Sequence, residues 1–245
     1  MRRARSIEVS VATHKPRFSL FLKSFDSIVN DVDMFSVHIN GDDDDCLDFA
    51  EKIWNTFGCN VDVVNFPIDR NYGDRAKFLP LKGYDLTGSV PDYLLTIDDD
   101  IIYPRNYIER MIEFCHENNG NPVGVHAATI FSMDKPLRNY FKDRLVTHFC
   151  FASKKRSVNC LGTGTLCFSP KVVPIKFDFF EKPNMADCYF ALFCQMNKIP
   201  MTCINRDINW LLELSDDRHS LWSLRGDGKE QTEVINQVKK WVVYQ

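Results

Sequence analysis

Apolar and polar positions follow two periods along this chain. Runs with a two-residue period predict strands over 7–13, 34–39 and 61–66, closed by His14-Lys15-Pro16, Asn40-Gly41 and Pro67. Between them the spacing turns helical. Phe18, Phe21, Leu22, Phe25, Ile28 and Val29 share one face of a helix over 18–29, and Leu47, Phe49, Ala50, Ile53, Trp54 and Phe57 one over 47–57 that stops at Gly58. A short helix near 75–81 precedes a fourth strand, whose apolar run from Tyr93 to Ile97 leads into Asp98-Asp99-Asp100. Beyond Pro104 the pattern predicts a helix over 107–116, a strand over 123–130, and an irregular basic stretch over 132–160. A glycine-punctuated strand over 161–168, a helix over 186–196 and a last strand over 201–204 follow. A polar loop over 205–228 carries Trp210 and Trp222, and an amphipathic helix over 229–243 ends the pattern.

Strands alternating with helices imply an α/β protein with a mainly parallel central sheet and helices on both faces. Neither an internal repeat nor a linker divides the chain, so 1–245 reads as one domain. In such sheets ligands bind beyond the carboxyl ends of the strands. The polar clusters His14-Lys15, Asn40-Gly41-Asp42 and Asp98 to Asp100 fall at those ends.

Charge and composition narrow the function. A net charge of −3 and a pI of about 6.1 argue against a general nucleic-acid binder. No run reaches the roughly 18–20 apolar residues that span a bilayer, and the first residues lack an apolar signal core. The expectation is a cytoplasmic protein without a transmembrane segment; Arg2, Arg3 and Arg5 read first as a solvated tail, with weak peripheral contact with the inner face of a membrane as the alternative. The nine cysteines form no pair at the two-residue gap of a zinc or redox motif, and most sit in apolar context, as reduced buried thiols do.

The chemistry centres on Asp98, Asp99 and Asp100. Alternation along a strand would turn Asp98 and Asp100 to one side and Asp99 to the other. Three like charges at a buried strand end require something positive. A hard cation, Mn²⁺ or Mg²⁺, takes oxygen ligands and grips phosphates; the bland alternative is a solvated acidic turn.

These features, with Asn71-Tyr72-Gly73-Asp74-Arg75-Ala76-Lys77-Phe78, Gly162-Thr163-Gly164-Thr165 and Met185-Ala186-Asp187, resemble the nucleotide-sugar glycosyltransferases of the GT-A fold, specifically the family-2-like bacterial enzymes of surface polysaccharide synthesis. The resemblance spans most of the chain. It implies a nucleotide-binding half over 1–104 and an acceptor-binding half over 105–245 with a C-terminal lid and helix. It implies a metal-dependent, inverting transfer of a sugar from a nucleoside-diphosphate donor, a UDP-sugar first among them, to a hydroxyl of a saccharide or glycolipid acceptor. In that reading Asp100 and Asp98 hold Mn²⁺ or Mg²⁺, with Asp98 alternatively on the ribose. Thr13 and His14, with Arg17 near, Asp42 and Asp74 face the nucleotide, Lys77 the diphosphate, and Asp99 lies beside them. Asp187 is the general base, where the bland alternative is a helix N-cap. Ala186 stands where many relatives carry a first carboxylate, and Lys77 where many carry asparagine or arginine. His219 is a candidate third metal ligand on the lid, Arg218 and Arg225 are candidate diphosphate contacts, and Trp210 and Trp222 stack on a sugar or bury in the core. Asp43 to Asp45 read as loop charges, Asp74-Arg75 and Lys77 alternatively as a solvated turn, and His126 and His148 as structural. Two rival functions remain: a sugar nucleotidyltransferase, and a non-catalytic module binding a nucleotide sugar or carbohydrate. The first lacks its Gly-rich basic loop after the opening strand; Asp187 argues against the second.

Overall fold

The alternating residues of Ile7–Thr13 form β1, with Val9 and Val11 buried in one core and Ser10 on the opposite face. The computed structural model describes residues 5–28, 32, 34–58, 60–131, 136–147, 154–214 and 226–245. A 3-10 turn at Lys15–Arg17 leads into α1 (Phe18–Asp26), which buries Phe21 and Phe25. Next come β2 (Met34–Asn40), α2 (Asp44–Phe57) and β3 (Val61–Phe66). Helix α2 begins before its apolar face does because the Asp43 carboxylate caps it, accepting from the Cys46 amide at 3.0 Å. Asp43 and Asp45 are therefore not bare loop charges: one caps, one lies in the first turn behind Asp44, and both pair with Lys15. A 3-10 stretch at Gly73–Phe78 and α3 (Pro80–Thr87) replace the single short helix expected near 75–81. Pro80 sits at the first helical turn, where its missing N–H costs nothing, and Gly88 at φ +69° ends α3.

The chain continues through β4 (Tyr93–Ile97), β5 (Ile101–Ile102), α4 (Tyr107–Glu117), β6 (Val123–Gly124), β7 (Ala127–Ile130) and β8 (Arg144–Thr147). Strands β9 (Arg156–Val158), β10 (Cys160–Leu161) and β11 (Thr165–Phe168) follow, then α5 (Ala186–Met196), β12 (Met201–Cys203), β13 (Leu212–Glu213) and α6 (Lys229–Ile235). The main sheet has eight strands in the order β3-β2-β1-β4-β11-β6-β12-β9. Its first four strands are mutually parallel; β11 runs antiparallel between β4 and β6, β12 is parallel to β6, and β9 is antiparallel to β12. Strands β10-β7-β8 form a small antiparallel sheet, and β13 pairs with β5.

Helices cover both faces. Val9, Val11, Phe35, Val37, Leu95 and Ile97 pack with buried residues of α1, α2 and α4 in one core. Leu94, Leu166 and Phe168 face the other way, into a core with residues of α3, α5 and α6. The neighbours Leu94 and Leu95 thus serve opposite layers. Each fully buried side chain of this size contributes about 1.5–3 kcal/mol. No helix of the described residues is long and apolar enough to cross a membrane. Seven cysteines (Cys46, Cys115, Cys160, Cys167, Cys188, Cys194 and Cys203) are free and buried, while Cys59 and Cys150 lie outside the described residues.

The helix expected over 18–29 ends at Asp26, and the stretch over 132–160, expected to be irregular, supplies β8, β9 and the start of β10; three further expectations change. The strand expected over 123–130 is broken into β6 and β7, in different sheets, because Thr165 Oγ1 accepts the Val125 and His126 amides at 3.2 and 3.0 Å and draws them out of the ladder. The strand expected over 161–168 divides likewise, into β10 and β11, with Gly162 to Gly164 between them. The helix expected over 229–243 stops at Ile235. There the Asn236 side chain exchanges two hydrogen bonds with the Leu137 backbone, and the chain folds back so that buried Trp241 donates to the Ile235 carbonyl at 3.1 Å.

Candidate functional site at the carboxyl ends of β1, β2 and β4

Strands β2, β1 and β4 lie side by side and end together, which brings Asn40, Thr13 and Asp98 to one edge. The extended run of β4 stops at Ile97, and Asp99 and Asp100 occupy a turn. Strict alternation therefore fails for the three carboxylates. Asp99 and Asp100 converge on one guanidinium: Arg17 Nη2 lies 2.8 Å from Asp99 Oδ1 and 2.6 Å from Asp100 Oδ2. Asp99 also accepts the buried Thr13 hydroxyl at 2.7 Å. Asp98 takes a separate cation, with Lys77 Nζ 2.5 Å from Oδ1. Ser24 holds the turn from below, its hydroxyl donating to the Ile101 carbonyl at 2.6 Å.

The positive charge demanded by the acidic run thus comes in part from the protein itself. Arg17 and Lys77 side chains are 8% and 4% exposed, Asp99 8%, Asp100 24% and Asp98 40%, so Asp98 is the carboxylate open to a ligand. The charges are not equivalent. Surrounding protein works against ionisation of Asp98, but Lys77 and Arg17 outweigh it and hold that carboxyl below its ordinary range. Burial and the nearby Asp98 push Asp100 up to about 6 against the pull of Arg17. Burial likewise raises Asp99, in spite of Arg17 and Thr13.

Lys77 belongs to the 3-10 stretch, not to a solvated turn. Asn40 fixes the start of that stretch, accepting from the Tyr72 amide at 3.0 Å and donating to the Gly73 carbonyl at 3.2 Å. Gly73 has φ +58°, and a Cβ there would strike Asn184 and Pro183. Arg75 binds the Phe180 carbonyl and, at 2.7 Å, that of Glu181. Asp74 Oδ2 accepts the Ala186 amide at 3.0 Å and so caps α5 across the fold, while its Oδ1 is buried without a hydrogen-bond partner. Burial pushes the Asp74 carboxyl up to about 6, opposed by Lys77 and reinforced by Asp187 and Asp98. The expected N-cap role of Asp187 is thus filled by Asp74. Asp187 sits in the first turn of α5, accepting the Tyr140 hydroxyl at 3.2 Å on Oδ2 and the Cys188 amide at 3.0 Å on Oδ1.

The loop between β10 and β11 closes on Asp98. Thr96 donates to the Thr163 carbonyl at 2.6 Å, and the Tyr103 hydroxyl donates to the Gly164 carbonyl at 2.7 Å while accepting the Asp98 amide at 2.9 Å. A Cβ on Gly164 would overlap the Asp98 carboxylate. Asp98 cannot swing aside without leaving Lys77. Gly164→Ala is therefore expected to cost about 1–3 kcal/mol, read as a lower urea midpoint; a midpoint equal to the parent protein's would show that the loop does not press on Asp98.

Thr13, Asp74, Lys77, Asp98, Asp99, Asp100 and Asp187 thus form one connected set together with Arg17, Asn40, Tyr103 and Tyr140. Arg17, expected near the nucleotide, instead binds Asp99 and Asp100, and Asn40 belongs to the polar cluster closing the second strand; Tyr103 and Tyr140 carry no signal of their own. His14 is half-buried beside Thr13, and Asp42 is exposed and outside the network. His126 is buried, its carbonyl accepting from Gly162 at 2.8 Å. Trp210 is taken up by the protein: Arg110 stacks 4.7 Å from its ring and Tyr107 lies 5.6 Å away. His148, Arg218, His219, Trp222 and Arg225 lie outside the described residues, although Leu214, just before the last four, donates to the Asp100 carbonyl at 2.6 Å.

Among the described residues no group of three or more His, Cys, Asp or Glu side chains is set to hold a metal ion. Asp98 and Asp100 still offer a donor set suited to Mg²⁺ or Mn²⁺, since such ions are commonly held by one or two carboxylates with substrate phosphates completing the shell. No protein-family model matches the chain, and no curated protein matches it.

Proposed function

We propose that the chain is a metal-dependent glycosyltransferase of GT-A type, moving a sugar from a nucleoside-diphosphate donor, first of all a UDP-sugar, to a saccharide or glycolipid hydroxyl in surface polysaccharide or glycoconjugate synthesis. One observation carries the reading. A solvent-open carboxylate backed by a buried lysine stands at the carboxyl end of a mainly parallel sheet, and a second carboxylate, Asp187, is tied to it through Asp74 and α5. The motif resemblance supports the same assignment.

In this reading Asp98 and Asp100 hold Mn²⁺ or Mg²⁺, which when bound neutralises charge on the departing nucleoside diphosphate. Lys77 holds Asp98 ionised, and Arg17 orients Asp99 and Asp100. Asp187 takes the proton of the acceptor hydroxyl as that oxygen bonds to the anomeric carbon. The bond from the same carbon to the diphosphate oxygen breaks, its electron pair leaving with the nucleotide, so configuration inverts. Thr13 acts through Asp99 rather than on the nucleotide, and Asp74 through α5.

Titration calorimetry with UDP-glucose, UDP-galactose, UDP-N-acetylglucosamine and GDP-mannose tests the reading. At least one donor is expected to bind with Mn²⁺ and to lose at least tenfold in affinity with EDTA, about 1.4 kcal/mol. Equal affinity in both conditions would remove the metal from the reading, and binding without hydrolysis or transfer would favour a binding module.

A further inference from the structure

We infer that Tyr140 is the positioning residue for Asp187: its hydroxyl fixes the carboxylate that removes the acceptor proton. The inference rests on the glycosyltransferase reading and deepens it. Tyr140 comes from the segment before β8, far in sequence from α5, yet its hydroxyl donates to Asp187 Oδ2 at 3.2 Å and lies 3.4 Å from Cys160 Sγ. Burial and two contacts hold the ring and its backbone. The ring is 1% exposed, the Arg144 guanidinium stands 4.0 Å from its centroid, and the Tyr140 amide donates to Thr232 Oγ1 in α6 at 2.9 Å. Thr232 in turn donates to the Gly228 carbonyl at 2.6 Å, so the tyrosine is anchored to the start of α6.

A carboxylate in the first turn of a helix has its own side-chain torsions free. The Cys188 amide restrains one oxygen of Asp187, and Tyr140 restrains the other. Together they select one rotamer and leave the remaining lone pairs for a proton. Tyr140 is not itself the base. Burial, reinforced by Asp187, raises its phenol well above the ordinary value and keeps it a donor. Arg144 is near enough to feel the charge of Asp187, but among the described residues no ion pair joins the two. Its cation over the ring face polarises the phenol toward donation.

Tyr140→Phe removes the donor and keeps the ring and its contact with Arg144. Expected is a fall in kcat of about 10–100-fold for transfer or donor hydrolysis, with KM for the nucleotide sugar and the melting temperature close to the parent values. The double variant Tyr140→Phe/Asp187→Asn is expected to turn over no more slowly than Asp187→Asn alone, because the hydroxyl acts only through that carboxylate. An unchanged kcat in the single variant, or the same fold-loss in both backgrounds, overturns the inference while leaving the glycosyltransferase reading intact. Parent protein that neither binds nor hydrolyses any nucleotide sugar of the panel overturns both.

Discussion

Asp187→Asn is expected to lower sugar transfer by about two to four decades while nucleotide-sugar affinity stays within a few fold. The amide is nearly isosteric with the carboxylate. Its one carbonyl oxygen can keep either the Cys188 or the Tyr140 contact, which the carboxylate takes on separate oxygens, and its NH2 can donate to the tyrosine oxygen instead; the Asp74 cap on α5 is untouched. What it cannot do is take a proton from the acceptor hydroxyl. In the proposed reading binding depends on the other end of the site, at Asp98, Asp100 and Lys77, and is expected to be spared. Single-turnover transfer and donor calorimetry on the same preparation separate the two effects. Near-normal transfer would take Asp187 out of the role of base and reopen a retaining mechanism. Loss of donor binding along with transfer would instead assign Asp187 to the nucleotide.

How much of this was legible depends on the range of the interactions. The two-residue period of Val9 and Val11, the helical spacing around Phe49 and Ile53, and the placement of Asp98 at a strand end are local properties. All three appear in the structure where the pattern puts them. The direction of Asp99 was misread because alternation holds only inside a strand, and this one ends at Ile97. The two cations of the site illustrate the same limit. Lys77 looks like a turn residue beside Asp74 and Arg75, but it is buried against Asp98. Arg17 meets Asp99 and Asp100 only once β1 and β4 have paired, and no local periodicity encodes that pairing. The same holds for Asp74 capping α5, for Thr165 breaking the strand at Val125, and for Asn236 ending α6 on Leu137. In each case one polar side chain satisfies backbone groups far away in sequence, and such groups decide where elements stop.

Arg17→Gln is expected to destabilise the fold by about 3–5 kcal/mol, the usual cost of removing one partner from a buried ion pair. Asp99 would keep only the Thr13 hydroxyl, and Asp100 would lose its counter-charge while still facing Asp98. Glutamine brings two N–H donors on a shorter side chain to this pair of carboxylates, but no charge. For a chain of this size the loss corresponds to a fall in melting temperature of about 6–20 °C. Arg17→Lys should recover part of it, because an ammonium restores the charge but lacks the planar fork of a guanidinium. A melting temperature for Arg17→Gln within about 2 °C of the parent, under 1 kcal/mol on the same scale, would mean that solvent rather than Arg17 neutralises the acidic turn. Mn²⁺ sharpens the test. A divalent cation at Asp98 and Asp100 competes with the guanidinium for Asp100 Oδ2, so removing Arg17 vacates that oxygen. Mn²⁺ is then expected to raise the melting temperature of Arg17→Gln by more than it raises that of the parent. An equal rise in both proteins would place the ion away from Asp100, and no rise in either would count against a cation site at this strand end.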